Sequence, residues 1–176
     1  MDIKKLSEPL SIDQIDFRVQ SINKGGYATI LAYKDARVDM QRLDEVVGPL
    51  NWKREHTNGN HNCIVSIWCG EKNQWVSKED TGTESYSDSE KGLASDSFKR
   101  ACFNLGIGRE LYDYPVISVK LNADEFTTDG QKVKATWKLK LRDWVWYSEF
   151  KDGKVSFLAA KDDNGSLRYK WGERNG

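Results

Sequence analysis

Residues 87–112 read SDSEKGLASDSFKRACFNLGIGRELY, and this stretch decides the fold. Ser87 with Glu90 three residues on has capping-box spacing, in which each side chain satisfies a backbone N–H that a helix start leaves unpaired. A helix is predicted from here. Ala94, Phe98, Ala101 and Leu105 recur at steps of four, three and four, one stripe facing a core, with Cys102 alongside. Lys99 and Arg100 fall beside that stripe. Gly106 and Gly108 suit the left-handed turn that closes a helix, so its body should run about four to five turns. A rigid helix thus carries an adjacent Lys and Arg next to a buried seam.

Towards the amino terminus, Ile15, Phe17 and Val19 alternate with Asp16, Arg18 and Gln20 before a turn at Asn23 to Gly26, and Tyr27 to Leu31 resumes an apolar, β-prone run. This predicts a hairpin. Ala36, Met40, Leu43 and Val47 then step at helical spacing, and Gly48-Pro49 supplies a glycine cap followed by a residue that cannot continue a helix. Arg37 lies on the flank of that helix. Three strand-like runs follow, residues 51–56, 62–69 and 74–81, joined by short polar turns that favour an antiparallel meander.

Past Pro115 an acidic, glycine-containing stretch at Asn122 to Gly130 reads as a seam. It divides the chain into a core domain, residues 1–115, and a β-rich extension packed on it, residues 116–176. The extension opens with the clearest alternation in the sequence. Val133, Ala135, Trp137, Leu139 and Leu141 occupy odd positions, and Lys132, Lys134, Lys138, Lys140 and Arg142 occupy even ones. At a period of two this predicts one strand over 132–142 with an apolar face and a basic face. Runs at 144–150, 155–160 and 167–171 complete a second meander. The predicted class is α+β.

The composition narrows the function. The chain has 176 residues, 38% apolar and 31% charged, with 27 basic and 27 acidic residues. That balance excludes a uniformly basic nucleic-acid coat, so any such site must be local. No run approaches the length of a membrane span, and the amino terminus has no apolar leader, so a soluble protein without membrane contact is expected. Three cysteines without CxxC spacing read as reduced thiols of a cytoplasmic protein. No glycine-rich phosphate loop is present, which removes support for ATP use. His56, His61, Cys63 and Cys69 match no zinc spacing, and no cofactor is expected. Glu79, Asp80, Glu84, Asp88 and Glu90 are the residues a Mg²⁺-dependent nuclease would use, although carboxylates near a helix start are commonly there for its dipole.

Two segments change the weight given to Lys99 and Arg100. YKDARVDMQRLDEVVGPLNW at 33–52 and EKGLASDSFKRACFNLGIGRELYDYP at 90–115, tied by the meander between them, resemble the single-strand annealing superfamily of Rad-fifty-two, DdrA and Sak type, closest to its DdrA-like or phage recombinase branch. The resemblance covers roughly residues 15–115. It implies a hairpin and three-stranded sheet with the long helix, assembled into rings or helical oligomers that hold single-stranded DNA by its backbone with the bases exposed. Carried over by motif position, Arg37, Lys99 and Arg100 hold phosphates, and Arg18 is a further match in the hairpin. Phe103 departs from the pattern, because eukaryotic members carry a basic residue at this point of the helix.

The basic strand lies outside the resemblance. Alternate side chains on one strand face stand about 6.6 Å apart, so such a row can track an extended phosphate backbone, with Trp144, Trp146 or Tyr147 as stacking surfaces. The competing reading is a lysine-protected edge. Trp52, Trp75 and Trp137 read as core candidates. The expectation is therefore a non-enzymatic, ATP-independent single-strand annealing protein of recombination or double-strand break repair. Its partners are single-stranded DNA, further copies of itself, and host or phage recombination proteins. The alternatives are the nuclease and a coat protein that binds strands, including RNA, without annealing them.

Overall fold

The structure, a computed structural model, describes residues 2–83 and 89–174. Among these the fold is α+β, with two helices and eleven strands in antiparallel sheets. The chain forms two compact units, Met1–Pro9 with Lys34–Arg109, and Leu10–Tyr33 with Glu110–Gly176. No helix among the described residues is long and apolar enough to cross a membrane.

The first unit is organised by helix α1 (Ala36–Val47), strands β3 (Trp52–Thr57), β4 (Asn62–Cys69) and β5 (Gln74–Thr81), and helix α2 (Ser89–Phe103). Asp35 caps α1 by accepting from the Arg37 N–H at 2.8 Å. Gly48 ends it at φ 87°, a conformation that a Cβ would strain. The three strands form the expected meander, in the order β3-β4-β5. Asn58, Gly59 and Asn60 all take positive φ in the first turn, which is why two asparagines and a glycine stand there.

One face of the meander carries Cys63, Val65 and Ile67 into a core with Leu43, Val47, Phe98, Ala101, Cys102 and Ile107. The α2 stripe is therefore the predicted one at Phe98, Ala101 and Cys102. Leu93 and Ser97, buried at 3% and 0% exposure, extend it. The Ser97 hydroxyl is accommodated by donating to the Asn60 carbonyl at 3.0 Å. Ser87 and the side chain of Glu90, the predicted capping pair, lie outside the described residues. The helix stops at Phe103, so Leu105 belongs to the exit turn. Gly106 there has φ 103°, and a Cβ on it would stand 2.9 Å from that of Ser7, so glycine is required twice over.

The second unit contains the hairpin β1 (Asp16–Ile22) and β2 (Tyr27–Tyr33). β2 also pairs antiparallel with β6 (Ile117–Lys120), giving a sheet β1-β2-β6. The hairpin therefore shares its sheet with a strand that follows Pro115. A second sheet joins β9 (Val145–Lys151), β10 (Lys154–Lys161) and β11 (Leu167–Gly172) in the order β11-β10-β9. Ala28, Ile30, Ile117 and Val119 of the first sheet join Trp144, Trp146, Leu158 and Ala160 in the core of this unit, and Phe17 stacks flat on Trp146 with centroids 3.7 Å apart.

The expected strand over 132–142 is only four residues long. β8 (Lys132–Ala135) pairs with β7 (Phe126–Asp129), and that partner ends opposite Ala135. Beyond it Thr136 reverses the chain. Its N–H donates to the Glu125 carbonyl at 2.9 Å and its hydroxyl to the Asp124 carbonyl at 2.6 Å, and Leu139 N–H returns to the Thr136 carbonyl. Leu141–Asp143 then form a short 3₁₀ turn that buries Leu141. Periodicity specified the faces of a strand that has no ladder partner beyond Ala135 among the described residues. Trp137, a core candidate, is 82% exposed in this turn, and Trp75 is 40% exposed, while Trp52 packs against the first unit's core. Trp144 and Trp146, expected as stacking surfaces, are buried at 6% and 8%, which leaves Tyr147 at 39%.

Candidate nucleic-acid interface

Arg37 projects from the first turn of α1 with its side chain 86% exposed, and its Nε donates to Asp35 Oδ1 at 2.9 Å. Hydrogen bonds from the Arg37 side chain and backbone hold the Asp35 carboxyl below its usual range, and the Lys99 charge adds to that pull. Lys99 also acts on Asp39 and Lys34. The fold thus brings the Lys99 charge, far away in sequence, within electrostatic reach of the carboxylate that Arg37 holds. Arg100, about 100° further round the helix, turns instead towards β5, where its Nε stands 3.5 Å from Asp80. Asn104 donates to the same Asp80 carboxylate at 3.2 Å.

Under Lys99 lies a group of residues that sequence reasoning missed. Lys34 and Asp39 are 1% and 0% exposed and ion-paired to each other, and the Lys34 ammonium sits 4.3 Å over the ring of Phe103. Phe103, one helical turn after Lys99, therefore forms the floor for a lysine that comes from another element. That lysine is neutralised by Asp39, so the position offers no free charge to solvent. Burial pushes the Asp39 carboxyl up from 3.8 to about 6 against the pull of Lys34, and the same burial draws Lys34 down. Cys102 is held well above the ordinary thiol value by burial beside Asp39. The sequence did contain a signal, since Asp39 falls three residues after Ala36 and four before Leu43, within the apolar stripe. Arg42, also on α1, donates to the Lys5 and Glu8 carbonyls at 2.8 and 2.9 Å and so ties the amino-terminal segment to the helix.

These directions fix a pH dependence. A carboxyl whose folded value is raised holds its proton longer when folded, so its contribution to stability is full below 3.8 and is lost as pH rises through about 6. Asp39→Asn cannot titrate. Its urea-unfolding free energy should vary less between those pH values than that of the wild type, whose profile carries this additional loss. Parallel profiles would refute the assignment.

The remaining predicted residues occupy the second unit. Lys132 and Lys134 are exposed on β8. Lys138 reaches Asp124 at 3.1 Å and Lys140 reaches Asp163 at 3.1 Å. Arg18 is exposed on β1 and lies over the Tyr33 ring at 5.2 Å. Arg142 is exposed in the 3₁₀ turn. The single strand face carrying all five basic residues is not formed, because the chain turns at Thr136.

Of the acidic residues, Glu79 accepts from Asn62 at 2.8 Å and Asp80 is held by Arg100 and Asn104. Glu84, Asp88 and the side chain of Glu90 lie outside the described residues. His56 and Cys63 are cross-strand partners on the inner face, where burial pushes the Cys63 thiol up to about 11.

Over 115 residues the chain is 31% identical to the single-stranded DNA-binding protein DdrA of Deinococcus radiodurans. The alignment takes in 64% of this chain and 55% of that protein, so the chain spans about half the length of the curated relative it matches. No protein-family model matches the chain, and no solved structure does.

Proposed function

We propose that this chain binds single-stranded DNA and anneals complementary strands without ATP, as a ring or helical oligomer serving recombination or break repair. The observation that carries the reading is the exposed Arg37 on α1 with Lys99 of α2 within electrostatic reach of its Asp35 partner, and Arg100 beside Lys99 on α2. Two cations from separate helices, held by a rigid core, can neutralise neighbouring phosphates without reading sequence. Bases left unburied then test complements by pairing, a step that needs no nucleotide hydrolysis. The similarity to a protein named for single-stranded DNA binding supports the ligand class.

The test is the rate at which labelled complementary oligonucleotides pair in the absence of ATP, with the mass of the protein in solution measured alongside. Accelerated pairing by a multimer is the expected result. A strict monomer that binds strands but leaves their pairing rate unchanged would reduce the function to coating.

A further inference from the structure

In the second unit a groove runs along the outer edge of β1, between that strand and the chain from Ala135 to Asp143, with a cavity of about 410 Å³. Its rim carries Arg18, Lys140 and Arg142 against one carboxylate, Asp143, and Phe17 and Leu139 contribute an apolar floor. Arg18 comes from the hairpin, and Lys140 and Arg142 come from the segment that turns back at Thr136. The turn that abolishes the expected lysine row is thus what brings these residues to β1.

The state of the charges sets the two arginines of this groove apart from several of the other predicted residues. Arg37, Arg100, Lys138 and Lys140 each hold a carboxylate. Among the described residues neither Arg18 nor Arg142 has an ion-pair partner. Arg18 lies over Tyr33, an arrangement that orients the guanidinium while leaving its N–H groups for an acceptor. Two unpaired guanidiniums beside apolar surface suit a polyanion whose bases are unpaired. A duplex keeps its bases stacked inside and would leave the floor uncovered.

We propose that this groove is a second binding track for single-stranded nucleic acid, in which Arg18 and Arg142 each take one backbone phosphate. It uses none of Arg37, Lys99 and Arg100, and so it stands or falls apart from the reading given above. The phosphodiester chemistry is common to DNA and RNA.

The test is the salt dependence of binding by the full chain, measured with labelled oligothymidylate and, to separate the two sources, oligouridylate. Each phosphate contact to a single strand contributes about 0.7 to the slope of log K against log salt. Arg18→Gln with Arg142→Gln should therefore make the slope shallower by about 1.4, and Arg18→Lys with Arg142→Lys should keep it near the wild-type value. Both arginines are exposed, and an unchanged thermal midpoint confirms that the variants fold. An unchanged slope in the glutamine variant for both oligonucleotides overturns the proposal. A reduced slope there, with the wild-type slope retained in an Arg37→Ala, Lys99→Ala, Arg100→Ala protein, upholds this groove and removes the helix residues from the interface.

Discussion

Lys34→Ala should destabilise the chain by about 3–5 kcal/mol, seen as a lower urea midpoint at unchanged slope. The reason is what remains. Asp39 is fully buried at the junction of α1 and α2, and without Lys34 its charge has no counter-ion. The loss includes the ammonium's contact with the Phe103 ring. A stabilising ion pair is not implied, since desolvating two charges offsets most of their attraction. Replacing both, as Lys34→Met with Asp39→Leu, should recover most of the loss because neither buried charge is then left alone. A double variant as unstable as Lys34→Ala would mean that shape, not charge, governs the site.

Combined Arg37→Ala, Lys99→Ala and Arg100→Ala should abolish annealing and make the salt dependence of single-strand binding shallower by about 2, three contacts at about 0.7 each. Stability should change little, because Arg37 is 86% exposed and the Arg100 side chain is 40% exposed in a surface ion pair. Within the triple variant Arg100 should matter least, since Asp80 competes with phosphate for it. Annealing at the wild-type rate by a folded triple variant would remove these residues from the interface.

Much of the first unit was legible because its signals are local. The Asn-Gly-Asn turn has the residues that positive φ demands, and runs read at 62–69 and 74–81 are β4 and β5. The stripe at Ala36, Met40, Leu43 and Val47 and the Gly48-Pro49 stop marked α1 because a helix repeats its own geometry. The candidate site was half legible. The resemblance pointed to Arg37, Lys99 and Arg100, but not to the Asp35 partner of Arg37, nor to the buried pair against Phe103.

The strand misread at 132–142 shows where such reasoning stops. Alternation states which residues would share a face if a strand formed, and a strand forms only where another supplies its hydrogen bonds. β7 supplies them as far as Ala135. That Trp137 is exposed was therefore settled by the end of a neighbouring strand, which the alternation around it could not foresee. The same holds for the pairing of β2 with β6 and for the meeting of Arg18 with Arg142 across one groove.

Helices, turns and the alternating faces of strands follow from the chain's own order, because backbone geometry and side-chain burial repeat over a few residues. The helical period placed Asp39 in the buried stripe, but its pairing with Lys34, the approach of the Lys99 charge to Asp35 and the groove beside β1 depend on tertiary packing. The helix at 89–103 belongs to both accounts. Its buried stripe was written in its spacing, while the charges near Lys99, the Asp80 partner of Arg100 and the Lys34 ammonium over Phe103 were set by packing alone.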